Sequence, residues 1–221
     1  MPETAAPKAT RILAAAGELL LGRGSRGVTI ADVARRAHIG KGTVYLYWKT
    51  KEDLLLDLVC RDFLALADEI TAAVTDDPEL ARPSRMCPNM LRMSAEHPYV
   101  SALQVNDAEL LGVLIEDPRS ASLLEALGPV AVMHQLLPIW RDHDLAGTDW
   151  ALPDQALALQ ALISGFIIVK PDAADVLAAA VTALLGPERA TSDQVRGAAE
   201  RGLRSLDEQR ALVRELMSRP V

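Results

Sequence analysis

Cysteine is nearly missing from this chain, with Cys60 and Cys87 the only two in 221 residues. Two thiols build no disulfide framework, which fits a reducing cytoplasm, and each reads as a small apolar filler on a helix. Long apolar runs are scarce as well. The stretch ALQALISGFIIV, Ala158 to Val169, falls short of the roughly 20 residues that span a bilayer, so no membrane helix is expected. The opening MPETAAPKAT has no apolar stretch behind its charges and lacks the layout of a secretory signal, so the expected location is cytoplasmic. No nucleophile elbow, phosphate loop, zinc-protease pair or dinucleotide fingerprint occurs; catalysis is not indicated and no cofactor is implied. His134 and His143 stand nine apart with no second cluster at ligand spacing, which argues against a metal site.

What is present is apolar and helix-forming. Half of the residues are apolar, so the chain folds as a globular protein. Strict apolar/polar alternation is nowhere sustained, and the fold class is expected to be all-α. Helical spacing predicts a first helix over Lys8 to Leu21, ended by GRGSRG, and a second that Thr29 caps and that ends near Ala37. A short third runs from Lys41 to Trp48 with Val44 and Trp48 facing inward together. Thr50 and Asp53 open a long helix reaching Val74. Beyond Pro78, prolines divide the chain into shorter helices near 79–96, 99–115, 119–143 with a break or kink at Pro129 or Pro138, 154–168, 172–185 and 192–218. On the last helix, Gln209 and Arg210 interrupt an otherwise apolar stripe.

The net charge of −7 hides a polarity. Residues 1–60 hold nine Lys or Arg against six Asp or Glu, a surplus of three positive charges, which leaves ten net negative charges on the rest. The basic segment also holds three of only eight aromatics, Tyr45, Tyr47 and Trp48, within four positions and beside Lys41, Lys49 and Lys51. Two short helices joined by a three-residue turn, behind a supporting helix, form a helix-turn-helix layout whose second helix enters the major groove of duplex DNA. Gly40 and Gly42 clear the leading end of that helix, where exposed amides attract anions. Lys41 and Thr43 stand within reach of phosphates and bases, and the tyrosines offer rings to sugars and hydroxyls to phosphates. Lys51, a cation in the first turn of a helix, opposes the macrodipole unless an anion docks there.

VTIADVARRAHIGKGTVYLYWKTKEDLL, Val28 to Leu55, resembles the DNA-binding head of the tetracycline-repressor (TetR) family. The likeness lies in the Thr-capped second helix, the Lys-Gly-Thr start of the third, its Tyr-x-Tyr-aromatic end and the Lys-Glu-Asp-Leu opening of the fourth. It implies that Thr29, Lys41, Tyr47 and Lys51 hold phosphates and that Gly42, Thr43 and Tyr45 sit at or near bases. Two positions depart from the family pattern: His38 replaces a turn glycine and Gly40 a capping serine, which removes one phosphate contact. A head with no DNA-reading role, on an effector-binding or interaction protein, is the competing expectation.

The resemblance further implies a ligand-responsive transcriptional regulator, commonly a repressor released from a palindromic operator by a small-molecule effector. The division expected is a head over 1–50, linked through the helix at 51–75 to an effector-binding and dimerisation body over 76–221. Met90, Met93, Tyr99, Met133, Trp140 and Phe166 are candidates for an effector pocket, with ordinary core packing the alternative for the methionines. A homodimer is expected because one recognition helix reads too few base pairs. Ala161, Leu162, Gly165, Phe166, Leu177, Val181 and Leu184 are candidates for its interface, from helices apolar around most of their circumference. The 192–218 helix either covers the body or extends that interface.

Overall fold

The computed structural model of the chain describes residues 5–104, 107–114, 118–119, 123, 129–169 and 173–218. Those residues form ten α-helices and no strand. The helices are α1 (Ala5–Arg23), α2 (Ile30–Arg36), α3 (Lys41–Tyr45), α4 (Lys51–Asp76), α5 (Pro83–Ala95), α6 (Pro98–Gln104), α7 (Pro129–Asp142), α8 (Leu152–Val169), α9 (Ala174–Leu185) and α10 (Ser192–Ser218).

The first four helices pack around Ile12, Leu20, Val33, Val44, Leu54 and Leu55, all fully buried. Local chemistry sets their ends. The Thr29 hydroxyl accepts from the Asp32 amide and donates to the Asp32 carboxylate, so α2 starts on a one-sided cap. Thr50 and Asp53 complete a reciprocal capping box at the start of α4. Between α2 and α3, the His38 amide donates to the Arg35 carbonyl and the Ile39 amide to the Ala34 carbonyl, the double closure of a Schellman motif. His38 occupies its left-handed position at φ 54°, where glycine is usual. Helix α3 ends at Tyr45 instead of Trp48, yet Val44 and Trp48 both point inward as their spacing predicts. The Trp48 indole N–H donates to Asp57 at 3.0 Å, fastening the third helix to the fourth.

The body differs from expectation at two breaks and keeps the one expected at Pro129. The 79–96 segment divides into a tight turn, Pro78–Ala81, and α5, because Arg82 precedes Pro83 and is held extended. Helix α6 stops at Gln104, and residues 107–114 turn instead of continuing: the Asp107 carboxylate accepts from the amides of Glu109 and Leu110. Helix α7 starts at Pro129 and runs through Pro138 without a break, while most of 119–128 lies outside the described residues. Gln209 and Arg210 do not interrupt the inner face of α10. Both are buried, Gln209 donating to the Gln135 carbonyl oxygen at 2.6 Å and Arg210 pairing with Asp68 and Asp207.

Helix α10 lies along α4, α7 and the Pro78–Ala81 turn, so it covers the body. Helix α4 is tied to α6 by Asp62, whose carboxylate accepts the Tyr99 and Val100 amides and meets His97 Nδ1 at 2.8 Å. His97 Nε2 lies 3.3 Å from Glu69, about two turns further along α4.

Burial pushes the Cys60 and Cys87 thiols up to about 12, with the carboxylates of Asp57 and Glu188 adding to the respective shifts. Burial also lifts Tyr99 to about 12, helped by Asp62. Neither cysteine should react with a thiol-specific reagent at pH 8 until the protein is unfolded. These three groups are held neutral by folding, so their contribution is intact below their unfolded values near 9 and 10 and is lost as pH rises toward 12. Urea midpoints should therefore fall between pH 9 and 12, and Cys87→Ala should flatten that fall.

Candidate functional site

The outer edge of the head is built by α3 and the turn behind it. Lys41 and Gly42 are exposed, Thr43 is half-buried, and Tyr45 and Tyr47 stand outward, while Leu46 is 83% exposed. The Lys41 ammonium lies 5.6 Å from the centre of the Tyr45 ring, a cation–π distance that holds the charge over the leading end of the helix. The Tyr47 and Trp48 rings are 5.5 Å apart and tilted by 37°. Val44 and Trp48, on the opposite side, fix which way this edge faces.

Glycine at two positions has different reasons. Gly40 caps α3 in an extended conformation with no side-chain hydrogen bond. A Cβ there would meet only the Thr43 hydroxyl at 3.9 Å, so nothing in the fold excludes the serine of the family pattern. Gly42 lies within the helix, and an added Cβ would meet nothing within 4 Å. Glycine inside a helix costs about 0.5–1 kcal/mol relative to alanine, and no internal contact requires it here.

Two of the named polar groups are already engaged inside the head. Lys51 Nζ donates to the Ser25 carbonyl at 3.1 Å, which offsets its position in the first turn of α4 without any docked anion. The Thr29 hydroxyl serves the α2 cap. Its hydrogen bond to Asp32, and then that from Arg35, hold the Asp32 carboxyl below the usual range.

In the body, a cavity of about 90 Å³ lies between α4, α5, α7 and α10. Leu66, Ile70 and Val74 form its α4 wall, Met86 and Met90 the α5 wall, Ile139 and Trp140 the α7 wall, and Ala199, Leu203 and Leu206 the α10 wall. A second cavity of about 60 Å³ continues toward α8, with Cys87, Leu91, Met133, Ile163 and Ile167 on its sides. The two share Leu66, Met90, Gln104 and Val132. Of the pocket candidates, Met90 and Trp140 line the larger cavity and Met133 the smaller. Met93 is buried in the head-side core. Tyr99 borders a shallow groove against α1, its hydroxyl 2.6 Å from where a Gly17 Cβ would stand. Phe166 packs on the body core outside both cavities. Spacing alone missed the contribution of α10 and the amides of Gln104, Gln135 and Gln209; the signal was three glutamines on otherwise apolar helix faces.

Residues 12–58 match the family profile described as "Bacterial regulatory proteins, tetR family". Over those residues the chain is similar to tetR-family regulators. It is similar to the "Fatty acid metabolism regulator protein" of Bacillus subtilis (strain 168), at 26% identity over 185 residues, covering 71% of this chain and 90% of that one. Among solved structures it resembles the fatty acid degradation regulator FadR from Bacillus halodurans, with a TM-score of 0.55 and 18% identity over 86% of this chain and all of the other. Thermus thermophilus FadR, described in complex with lauroyl-CoA, is similar at a TM-score of 0.48 and 23% identity, over 80% of this chain and 92% of that one.

Helices α8 and α9 leave an apolar face bare. Leu157, Ile168, Val169 and Val176 are all more than 60% exposed, and Ala161 and Gly165 lie on the same side of α8. A Cβ on Gly165 would meet nothing within 4 Å outside its own helix backbone. Leu162, Phe166 and Leu184 are half-buried against the body core. Leu177 and Val181 are fully buried and correct the expectation for them: α9 packs on α5 and turns those two side chains inward. By length and composition α8 is also apolar enough to cross a membrane, contrary to the expectation of no such helix. Its Asp154 is exposed, and Gln155 is buried against Arg141 and the Gly147 carbonyl.

Because no internal contact requires glycine at position 42, Gly42→Ala should raise unfolding stability by about 0.5–1 kcal/mol. Urea denaturation of the isolated protein reads this directly.

Proposed function

We propose that this protein is a homodimeric transcriptional repressor, cytoplasmic, that grips a palindromic operator with α3 of each protomer and lets go when a fatty-acyl effector enters the body. The division is the head over 1–50, the connecting helix over 51–75 and the effector and dimer body over 76–221. The observation that carries the DNA-binding half is the bare Gly42 beside an outward Lys41 and Tyr45: a helix accepts an interior glycine without internal need where another body must approach its backbone closely. Lys41 and Tyr47 are assigned to phosphates, Gly42, Thr43 and Tyr45 to the neighbourhood of bases, and Leu46 to a thymine methyl. Gly40 supplies clearance and its amide. Thr29 and Lys51 take lesser parts, since their polar atoms already serve the head.

The dimer is assigned to the bare side of α8 and α9, through Leu157, Ala161, Gly165, Ile168 and Val176. An exposed contiguous apolar patch on a folded protein marks an interaction surface, and one self-complementary patch closes a two-fold pair. The effector assignment draws on the regulator of fatty acid metabolism to which the chain is similar and on the apolar walls of the two cavities.

At about 90 and 60 Å³ the cavities are smaller than the roughly 300 Å³ of a ligand-filled pocket, so a bound chain must part their walls. Leu66 borders both cavities and belongs to α4, the helix that also carries the head. Parting them shifts α4 and changes the spacing of the two recognition helices, which must match major grooves about 34 Å apart. By linkage, effector weakens operator binding by the factor by which operator weakens effector binding.

Operator affinity, measured on fragments selected from random duplex DNA, should fall steeply between low and moderate salt. Lys41→Ala should reduce the slope of log affinity against log salt by about one per protomer. Gly42→Ala, stabilising for the fold, should weaken operator binding. A chain that ignores every duplex in dilute buffer has a head that does not read DNA. Ile168→Asp should convert the dimer to a folded monomer in sedimentation equilibrium; an unchanged mass would move the interface elsewhere.

A further inference from the structure

A groove of about 410 Å³ opens where α1, α4 and the start of α6 meet, and it shares no lining residue with either body cavity. Leu13, Ala14 and Leu21 give it an apolar α1 wall and Leu58 an apolar α4 wall. Leu21 stays 52% exposed beside it. The three helices come together at Gly17, where a Cβ would stand 2.6 Å from the Tyr99 hydroxyl oxygen and 3.9 Å from a Leu58 methyl carbon. Glycine is unfavourable inside a helix, and here the phenol takes the space that any other side chain would need. Tyr99 is 9% exposed, and its hydroxyl makes no hydrogen bond to any described residue. Burial, helped by Asp62, pushes that hydroxyl up to about 12, so it is a neutral donor at pH 8. A hydroxyl so deeply buried is costly without a partner, and one that borders a groove can be satisfied only from the groove.

A second donor borders the same groove. Arg61 lies one turn from Leu58 along α4. It gives its Nε to Asp57 at 2.9 Å, and its two terminal nitrogens make no hydrogen bond to any described residue. The other charged residue lining the groove, Glu18, is taken up by Arg36, which donates to one of its oxygens from Nε and Nη2.

From these groups we infer that the groove is a ligand site separate from the body cavities, and that it takes a carboxylate carried on a compact, flat apolar body such as an aromatic ring. The phenol of Tyr99 and the guanidinium of Arg61 both present donors. A carboxylate accepts only, and it has two oxygens to share between them. A neutral amide of the same shape brings an N–H group that a guanidinium cannot accept. A flat ring lies against Leu13, Ala14 and Leu58 with one face covered, whereas a long flexible chain would leave most of its length in water. The site is independent of the effector reading of the body. A ligand seated there touches α1 and α6 at once, beside the joint at which Asp62 fastens α6 to α4, so its occupancy responds to movement of the head on the body.

The test compares 2-naphthoate with 2-naphthamide, which share one ring system, by calorimetry on the full chain at pH 8, where the acid is ionised. The carboxylate should bind about ten-fold tighter. Tyr99→Phe removes no hydrogen bond within the protein, and Arg61→Gln gives up only an exposed pair with Asp57. Each should weaken naphthoate about ten-fold, and Arg61→Gln should erase the preference over the amide. Helix content, read by circular dichroism, should match the parent in both variants. Equal or tighter binding of the amide overturns the inference. Naphthoate binding that survives either variant also overturns it, because neither residue lines a body cavity and the ligand is then seated elsewhere. Absence of naphthoate binding at millimolar concentration overturns it as well, and leaves the operator and effector readings standing.

Discussion

Helix α4 is buried in two cores at once. Leu54, Leu55, Leu58, Val59, Phe63 and Leu66 belong to the head-side core, Val74 belongs to the body core, and Ile70 packs against both. A continuous hydrogen-bonded helix of 26 residues, roughly 39 Å at 1.5 Å per residue, transmits displacement better than it absorbs it. The remaining contacts of the head are arranged around this rod. Trp48 reaches it through Asp57, the capping box sets where it begins, and Lys51 holds it to the turn after α1. The recognition edge is thus defined relative to α4 more than relative to α1.

The same rod explains why the larger body cavity lies where it does. The walls of the cavity are the inner faces of four helices, and α10 provides one of them by laying Ala198, Ala199, Gly202 and Leu203 against α4 and α7. Small residues on α10 keep the wall from filling the space. The polar anchors of α10, Arg210 on Asp68 and Arg201 on Asp142, bind its middle stretch to α4 and α7. Body residues also enter the head core: Leu111 and Leu114 from the turns after α6 are fully buried there, as is Val213 of α10. Head and body therefore meet over packed side chains as well as through one helix. A second line of contact runs through Ser25, Glu109 and Gly112, where two backbones approach so closely that Gly24 and Gly112 both take positive φ.

The order of the helices was legible in the sequence because local signals set it. Thr29 and Thr50 mark two starts, the His38-Ile39-Gly40 turn marks a boundary, and the apolar stripe of α4 shows its period over seven positions. The α10 boundaries, Ser192–Ser218, follow from the same periodicity. Less legible were the breaks at Arg82 and Asp107, where the adjacent Pro83 or the Asp107 carboxylate outweighs helix propensity. Gln209 and Arg210 looked like interruptions because a polar residue on an apolar stripe is tolerated only with a partner, and Gln135 and Asp68 are distant in the chain. Met93 and Tyr99 have the size and chemistry for a pocket, but the rotation of α5 and α6 about their axes turned them toward the head.

By itself, then, the sequence determined the elements and the chemistry of the recognition edge: helix starts, the inward pair Val44 and Trp48, the outward Lys41, Tyr45 and Tyr47. These depend on neighbours within a few residues, whose relative positions a helix fixes. Tertiary structure alone decided which apolar faces are covered. Leu177 and Val181 went inward and Ile168 and Val176 stayed bare, though all four belong to helices that look apolar on every side. Burial of that kind depends on how helices far apart in the chain are rotated against one another, and no spacing within a single helix encodes it.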